Sequence, residues 1–342
     1  MNLLPSPEQE QIVDTLKAFL SEKAPVSRLR EHGALGNPDQ ALWQELGQLG
    51  FLGLGLSEEA GGVGLTSADE ALVYREFGRH LISISLFGTT LGAHIAASSG
   101  DQGLLDSLLS GTTTVGVGNL FSDGHLHQEG CSGEFHWFEA RDAQFVLLLD
   151  ESGAALIATE DCADRRKVNA TDASLALERA TLSNAKPTCW IGAEAAQIHT
   201  RALLLTAAYA TGMAEATRDM AVEYAKDREQ FGKPIGSFQA IKHMCADMAI
   251  RTEAAQSQTF FASLVFAENR DDLALQVVSS KIVAVDTALK NAAANIQVHG
   301  AYGFTAEADA HHYLKRAHVA DQLWGDLRTQ RIRLLSLSPT AQ

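Results

Sequence analysis

The string Arg228-Glu229-Gln230-Phe231-Gly232-Lys233-Pro234-Ile235-Gly236-Ser237-Phe238-Gln239, followed by Ala246-Asp247-Met248, sets a fixed cation beside a glycine turn between two predicted helices. A guanidinium is planar and donates two parallel hydrogen bonds, which suits a pyrophosphate. An exposed inter-helix loop with a capping arginine would read the same way. A second string, Gln297-Val298-His299-Gly300-Ala301-Tyr302-Gly303-Phe304, closes a long striped segment. Its glycines could be C-caps, or they could let a backbone approach a cofactor closely. The cysteines Cys131, Cys162, Cys189 and Cys245 form no C-x-x-C pair and read as reduced structural thiols in the cytosol. His311-His312 lacks a companion cluster, so it reads as a surface pair on a helix and not as a metal site.

The elements that must position these strings follow from periodicity. Val278, Ile282, Val285, Leu289, Ala292 and Ile296 are spaced 4, 3, 4, 3, 4, an apolar stripe along one helix. Leu205, Tyr209, Gly212, Ala216 and Met220 form a second stripe, and Ile241, Met244, Met248, Thr252 and Ala255 a third. Turns at 228–237 and 268–272 then make an antiparallel bundle. Upstream, 112–117, 145–149 and 154–158 read as β-strands between turn residues. Residues 1 to about 110 read as helices broken by glycine turns, with Met1 to Ala24 as a first helix rather than a signal peptide. The expected division is a helical domain over 1–110, a shortened β domain over 111–193 and a helical bundle over 194–342.

Composition narrows the function classes. The 342 residues carry a formal net charge of −15, which opposes binding to nucleic-acid backbones. No apolar run approaches the roughly 18 residues that a membrane span requires.

In order and spacing the two strings resemble the C-terminal domain of the acyl-CoA dehydrogenase family. Trp43 to Gly50, the Ser57 to Gly64 loop and Glu76-Phe77-Gly78-Arg79 are similar to its N-terminal helical domain. The likeness spans roughly 35–80 and 205–331. It implies a mainly α fold with a small inserted β-barrel or sheet domain and a C-terminal four-helix bundle, assembled as a tetramer of dimers. It also implies FAD at a dimer interface, where one subunit holds the flavin ring and its neighbour the ADP half. Those neighbour contacts carry over to Arg228, Phe231, Gln297, Gly300 and, more loosely, Gly303, with Ala301 replacing a family glycine. The reaction implied removes an α-proton from an acyl-CoA while the β-hydrogen leaves as hydride. The base is a glutamate, held where desolvation raises its pKa.

The pattern breaks at that base. Counting back from Gln330-Arg331 places Trp324, beside Gly325, where most members carry the glutamate. The alternative position on the first bundle helix falls near Ala202, and 197–212 contains no Asp or Glu. The flavin-ring loop of the middle domain is also missing. Asn119-Leu120-Phe121-Ser122-Asp123-Gly124 is the nearest stretch, and Trp137-Phe138 reads as a remnant of the tryptophan strand.

This combination resembles the base-lacking subunits of α2β2 acyl-CoA dehydrogenases of bacterial sterol side-chain breakdown. It implies a homologous partner carrying the glutamate, a bulky acyl-CoA such as a steroid thioester as substrate and electron-transfer flavoprotein as acceptor. Two other readings stay open. One is a self-sufficient dehydrogenase with a displaced base, Asp326 first and Glu194 or Glu215 after it. The other is a non-enzymatic scaffold.

Overall fold

The computed structural model describes residues 4–32, 40–122, 124–162 and 164–337. The start of the 35–80 stretch and Asp123 of the middle-domain stretch lie outside the described residues. Six helices come first: α1 (Pro7–Lys23), α2 (Arg28–His32), α3 (Gln40–Gln48), α4 (Ser67–Arg79), α5 (Ser85–Ser99) and α6 (Gln102–Leu109). The strands β1 (Val115–Leu120), β2 (Cys131–Phe138), β3 (Phe145–Leu149), β4 (Ala154–Ala158), β5 (Asp164–Val168), β6 (Leu177–Ala185) and β7 (Cys189–Ile191) follow. Then come α7 (Ala195–Asp227), a hairpin of β8 (Glu229–Gln230) and β9 (Lys233–Pro234), α8 (Gln239–Ala267), α9 (Leu273–His299), α10 (Ala310–Gln322) and α11 (Leu327–Leu337). The fold is thus mainly helical with an inserted sheet. Among the described residues no helix is long and apolar enough to cross a membrane.

By compactness the chain forms two interleaved units, one from 1–31, 67–81 and 203–342, the other from 32–66 and 82–202. In the second unit the strands form one sheet in the order β5-β6-β2-β1-β3-β4-β7. Its β1–β3 pair is parallel and its other pairs are antiparallel. Helix α5 lies on β1 so closely that a Cβ at Gly88 would stand 2.2 Å from the Val115 carbonyl oxygen. Ser85 Oγ donates to that oxygen at 2.9 Å. Strand β1 starts at Val115, three residues later than the 112–117 pattern indicates, because 112 and 113 bond back to the Ser107 carbonyl.

In the first unit, α1 opens with a capping box of Ser6 and Gln9, and α7, α8 and α9 form the bundle core. Helices α4 and α7 cross at two glycines. A Cβ at Gly78 would stand 1.9 Å from the Tyr209 oxygen, and one at Gly212 1.8 Å from that of Arg75. The α8 stripe is observed in part, with Met248, Thr252 and Ala255 buried and Ile241 and Met244 half-buried. The α9 stripe needs correction. Val278, Val285, Ala292 and Ile296 are buried, but Ile282 and Leu289 are only half-buried. Ser280, Lys281, Asn291 and Asn295 are buried in the same helix. Asn291 can enter because its amide nitrogen donates to the Thr252 hydroxyl (2.9 Å) and the Met248 carbonyl (3.2 Å), which satisfies it inside the bundle. His311 and His312 are also not on the surface. Each is 8% exposed, because α10 packs against α9 on that side.

Candidate cofactor-binding site

The two strings meet at one end of the bundle. Helix α7 stops at Asp227, and the next residue, Arg228, donates its N–H to the Tyr224 carbonyl (2.9 Å) and accepts from the Ile235 N–H (2.7 Å). These bonds fix the start of the β8–β9 hairpin. Its two-residue loop is Phe231-Gly232, with φ 54° and 76°, the pairing of positive φ values that suits the twist of a tight hairpin. A phenylalanine there is strained and gains nothing by burial, for it is 91% exposed. The Arg228 guanidinium is exposed and, among the described residues, has no protein partner.

Helix α9 ends beside it. Tyr224 stacks on His299 with ring centroids 4.0 Å apart and planes 22° apart, and Tyr302 continues the stack at 6.2 Å from Tyr224. Ala221, Ala225, Met248 and Val298 pack beneath, joining the ends of α7, α8 and α9. Burial lowers the pKa of His299, so the ring stacks as neutral imidazole, and its Nδ1 donates to the Asn295 carbonyl at 2.8 Å. Gln297 is exposed on the last turn of α9 with its side-chain amide free. Gly300 sits at φ 65°, ψ −144°, a conformation that a side chain would strain, and a Cβ there would meet nothing within 4 Å. Gly303 differs: a Cβ would lie 3.0 Å from the Ile296 oxygen and the His299 Cβ, so its bareness serves packing. A free guanidinium, a free amide and an open glycine backbone thus share one surface. That set suits a phosphate-bearing group.

The expected base positions hold no base. Ala202 is fully buried. Trp324 lies in the turn between α10 and α11 at φ 59°, 5% exposed, and its indole N–H has no partner. Three consecutive carbonyls of this turn are bound from below. Lys281 Nζ donates to the Leu323 oxygen and to that of Gly325 (2.5 Å), and Gln330 Nε2 donates to the Trp324 oxygen at 2.7 Å. The left-handed backbone of a non-glycine residue costs on the order of 1–2 kcal/mol, which these bonds offset. Lys281 is fully buried, and burial pushes its pKa down to about 7.

Two of the displaced candidates, Asp326 and Glu215, have other work. The Asp326 carboxylate accepts from the Thr329 N–H (2.8 Å) and hydroxyl (2.7 Å), which caps α11 and lowers its pKa. A carboxylate held that low is a poor proton acceptor at neutral pH. Glu215 is bound by Arg79 at 3.0 Å and by the Gln256 amide at 2.6 Å. Glu194 is exposed.

In the sheet unit, β1 runs directly into Phe121. Its ring packs 4.4 Å from His136, with the Arg179 guanidinium 4.6 Å above it. Trp137 lies on β2 with none of its surface exposed and Phe138 with 6%. The tryptophan of that strand therefore belongs to the sheet core and does not face outward.

Sequence reasoning missed Lys281, Gln330 and the Tyr224–His299 stack. A signal existed for the lysine: it falls within the apolar stripe, three residues after Val278 and four before Val285.

Residues 6–112 match the acyl-CoA dehydrogenase N-terminal domain, and residues 194–335 match the C-terminal domain of the same family. Acyl-CoA dehydrogenase IpdE2 of Mycobacterium tuberculosis is 32% identical over 325 residues, 94% of this chain and 94% of the relative. Acyl-CoA dehydrogenase FadE34 of the same organism is 35% identical over 83% of this chain, which spans only 40% of that longer protein. The ChsE4-ChsE5 complex from Mycobacterium tuberculosis superposes with a TM-score of 0.86 at 23% identity, covering 99% of this chain and 100% of that one.

Proposed function

Because the chain belongs to the acyl-CoA dehydrogenase family, an oxidoreductase family whose cofactor is FAD, we propose that it is the base-lacking subunit of a heteromeric dehydrogenase. One contrast carries this reading. The surface that suits a phosphate group is intact and free, while the expected base position holds a clamped tryptophan and the carboxylates of Asp326 and Glu215 are engaged elsewhere.

In this reading Arg228 and the Gln297 amide hold the pyrophosphate half of FAD, Gly300 lets the backbone approach it, and Phe231 covers it from the hairpin tip. When bound, FAD supplies the hydride acceptor for α,β-desaturation. This chain's residues bind and orient; the proton leaves to a glutamate on a homologous partner in an α2β2 assembly. The acyl-CoA is bulky, such as a steroid fragment with a short thioester side chain, and electrons continue to electron-transfer flavoprotein. The assembly works in the cytoplasm. Support comes from the sequence resemblance to base-lacking subunits and from a solved neighbour that is a complex of differently named chains.

The test is the flavin absorbance of this chain alone and co-expressed with a homologous dehydrogenase chain from its own genome. A colourless lone chain and a yellow pair with one flavin per pair are expected. A lone chain that is stably yellow and bleaches with an acyl-CoA refutes the reading.

A further inference from the structure

We propose that Lys281 and Gln330 are positioning residues that clamp the 323–325 turn and make Trp324 a fixed plug in this chain's own acyl site. The inference rests on the reading above in one respect, that Trp324 stands where the family carries its base. Its other grounds are geometric. Two side chains, from α9 and α11, bind the oxygens of 323, 324 and 325, so every carbonyl of the turn is engaged. Those bonds hold a bulky residue in the left-handed region, which the backbone alone would not choose. The indole is 5% exposed, and its buried N–H finds no acceptor. Here the ring's position is set by the clamp rather than by its own hydrogen bond.

The clamp does not depend on the charge of Lys281. Burial lowers its pKa, Asp321 and Asp326 pull it back up, and Arg333 lowers it further. A neutral amine keeps two N–H groups, as many as the two carbonyls it binds.

Two measurements on the full chain test this. The first is acrylamide quenching of Trp324 fluorescence, isolated by subtracting Trp324→Phe. Quenching several-fold weaker than for free indole is expected, rising several-fold in Lys281→Met and in Gln330→Leu, the second serving if the first fails to fold. Unchanged quenching in a folded variant overturns the clamp. The second is calorimetric titration of octanoyl-CoA into the complex with the partner chain. One acyl-CoA per pair is expected in the native complex and two in Trp324→Gly, whose glycine suits the positive φ. A count that stays at one overturns the plug and leaves the half-site reading standing. A native lone chain that already binds octanoyl-CoA one-to-one and holds flavin overturns the half-site reading instead.

Discussion

Replacing Lys281 with methionine removes a specific pH dependence from the stability of the protein. In an unfolded chain a lysine titrates near 10.4, whereas in the fold burial brings Lys281 to about 7. Between those values the unfolded chain holds a proton that the folded chain does not. Stability therefore rises with pH across that window, by up to about 1.4 kcal/mol per unit. The folded group is still half-protonated at pH 7, so integration from pH 7.0 to 8.5 gives about 1.5 kcal/mol. For a cooperative chain of this length that is about 2 °C in thermal midpoint. The buried thiols of Cys131, Cys162 and Cys189, and the less buried one of Cys245, have raised pKa values and act in the opposite sense at alkaline pH. They are common to both proteins and cancel in the difference. The assay is thermal unfolding followed by circular dichroism at pH 7.0, 7.5, 8.0 and 8.5. Lys281→Met starts lower, because two buried carbonyls lose their donor, and its midpoint should fall further behind as pH rises. Parallel curves would refute the assignment of a near-neutral amine to this site.

Arg228→Ala should weaken FAD retention by the complex roughly ten- to a hundredfold, the value of a charge-assisted bond to phosphate at about 1.5–3 kcal/mol. The flavin-free melting point should not move, since the guanidinium has no protein partner among the described residues; equilibrium dialysis and thermal unfolding separate the two. Asp326→Asn keeps a capping acceptor for Thr329 and should leave complex activity intact, whereas its loss would revive a displaced base. Desolvation pushes the His94 pKa down to about 4 from an ordinary 6.5. As pH falls through that interval the unfolded chain gains a proton first, so up to about 3 kcal/mol of stability is lost. Urea midpoints at pH 6.5 and 4.5 should lie closer together in His94→Gln than in the native protein.

Much of the candidate site could be read from residue order. Arg228, Phe231 and Gly300 lie in local motifs, and their hairpin and helix-end geometry follows from sequence neighbours a few positions away. The bundle helices announced themselves by period. What periodicity could not show was polarity inside the bundle. Lys281 and Asn291 replace part of the apolar stripe because carbonyls from distant segments meet them there, as Lys281 meets the turn 42 residues on, while Ser280 bonds back to Val277 within the helix. The same blindness put His311 and His312 on the surface. Strand order was illegible for a related reason. The parallel β1–β3 pair joins segments separated by β2, and interleaving units take residues 67–81 away from their sequence neighbours. Such pairings are decided by burial across the whole chain, not within a window.

A non-enzymatic scaffold would account for the stripes and the sheet, since both are packing. It does not account for features that packing opposes. A phenylalanine at φ 54° with 91% of its surface in water lowers stability twice, by strain and by exposed apolar area. A free arginine and an open glycine at a positive φ add nothing to a core. Nor does a tryptophan forced into the left-handed region with an unsatisfied N–H. The phenylalanine and the tryptophan are costs in the isolated chain, and the phenylalanine lies with the arginine and the glycine at one end of the bundle, where a ligand and a second chain could offset it. The tryptophan lies where the family resemblance places the base. A chain that had lost its function without acquiring another should relax both places. Retained strain at both fits a subunit that offers one half of a cofactor site and closes the other.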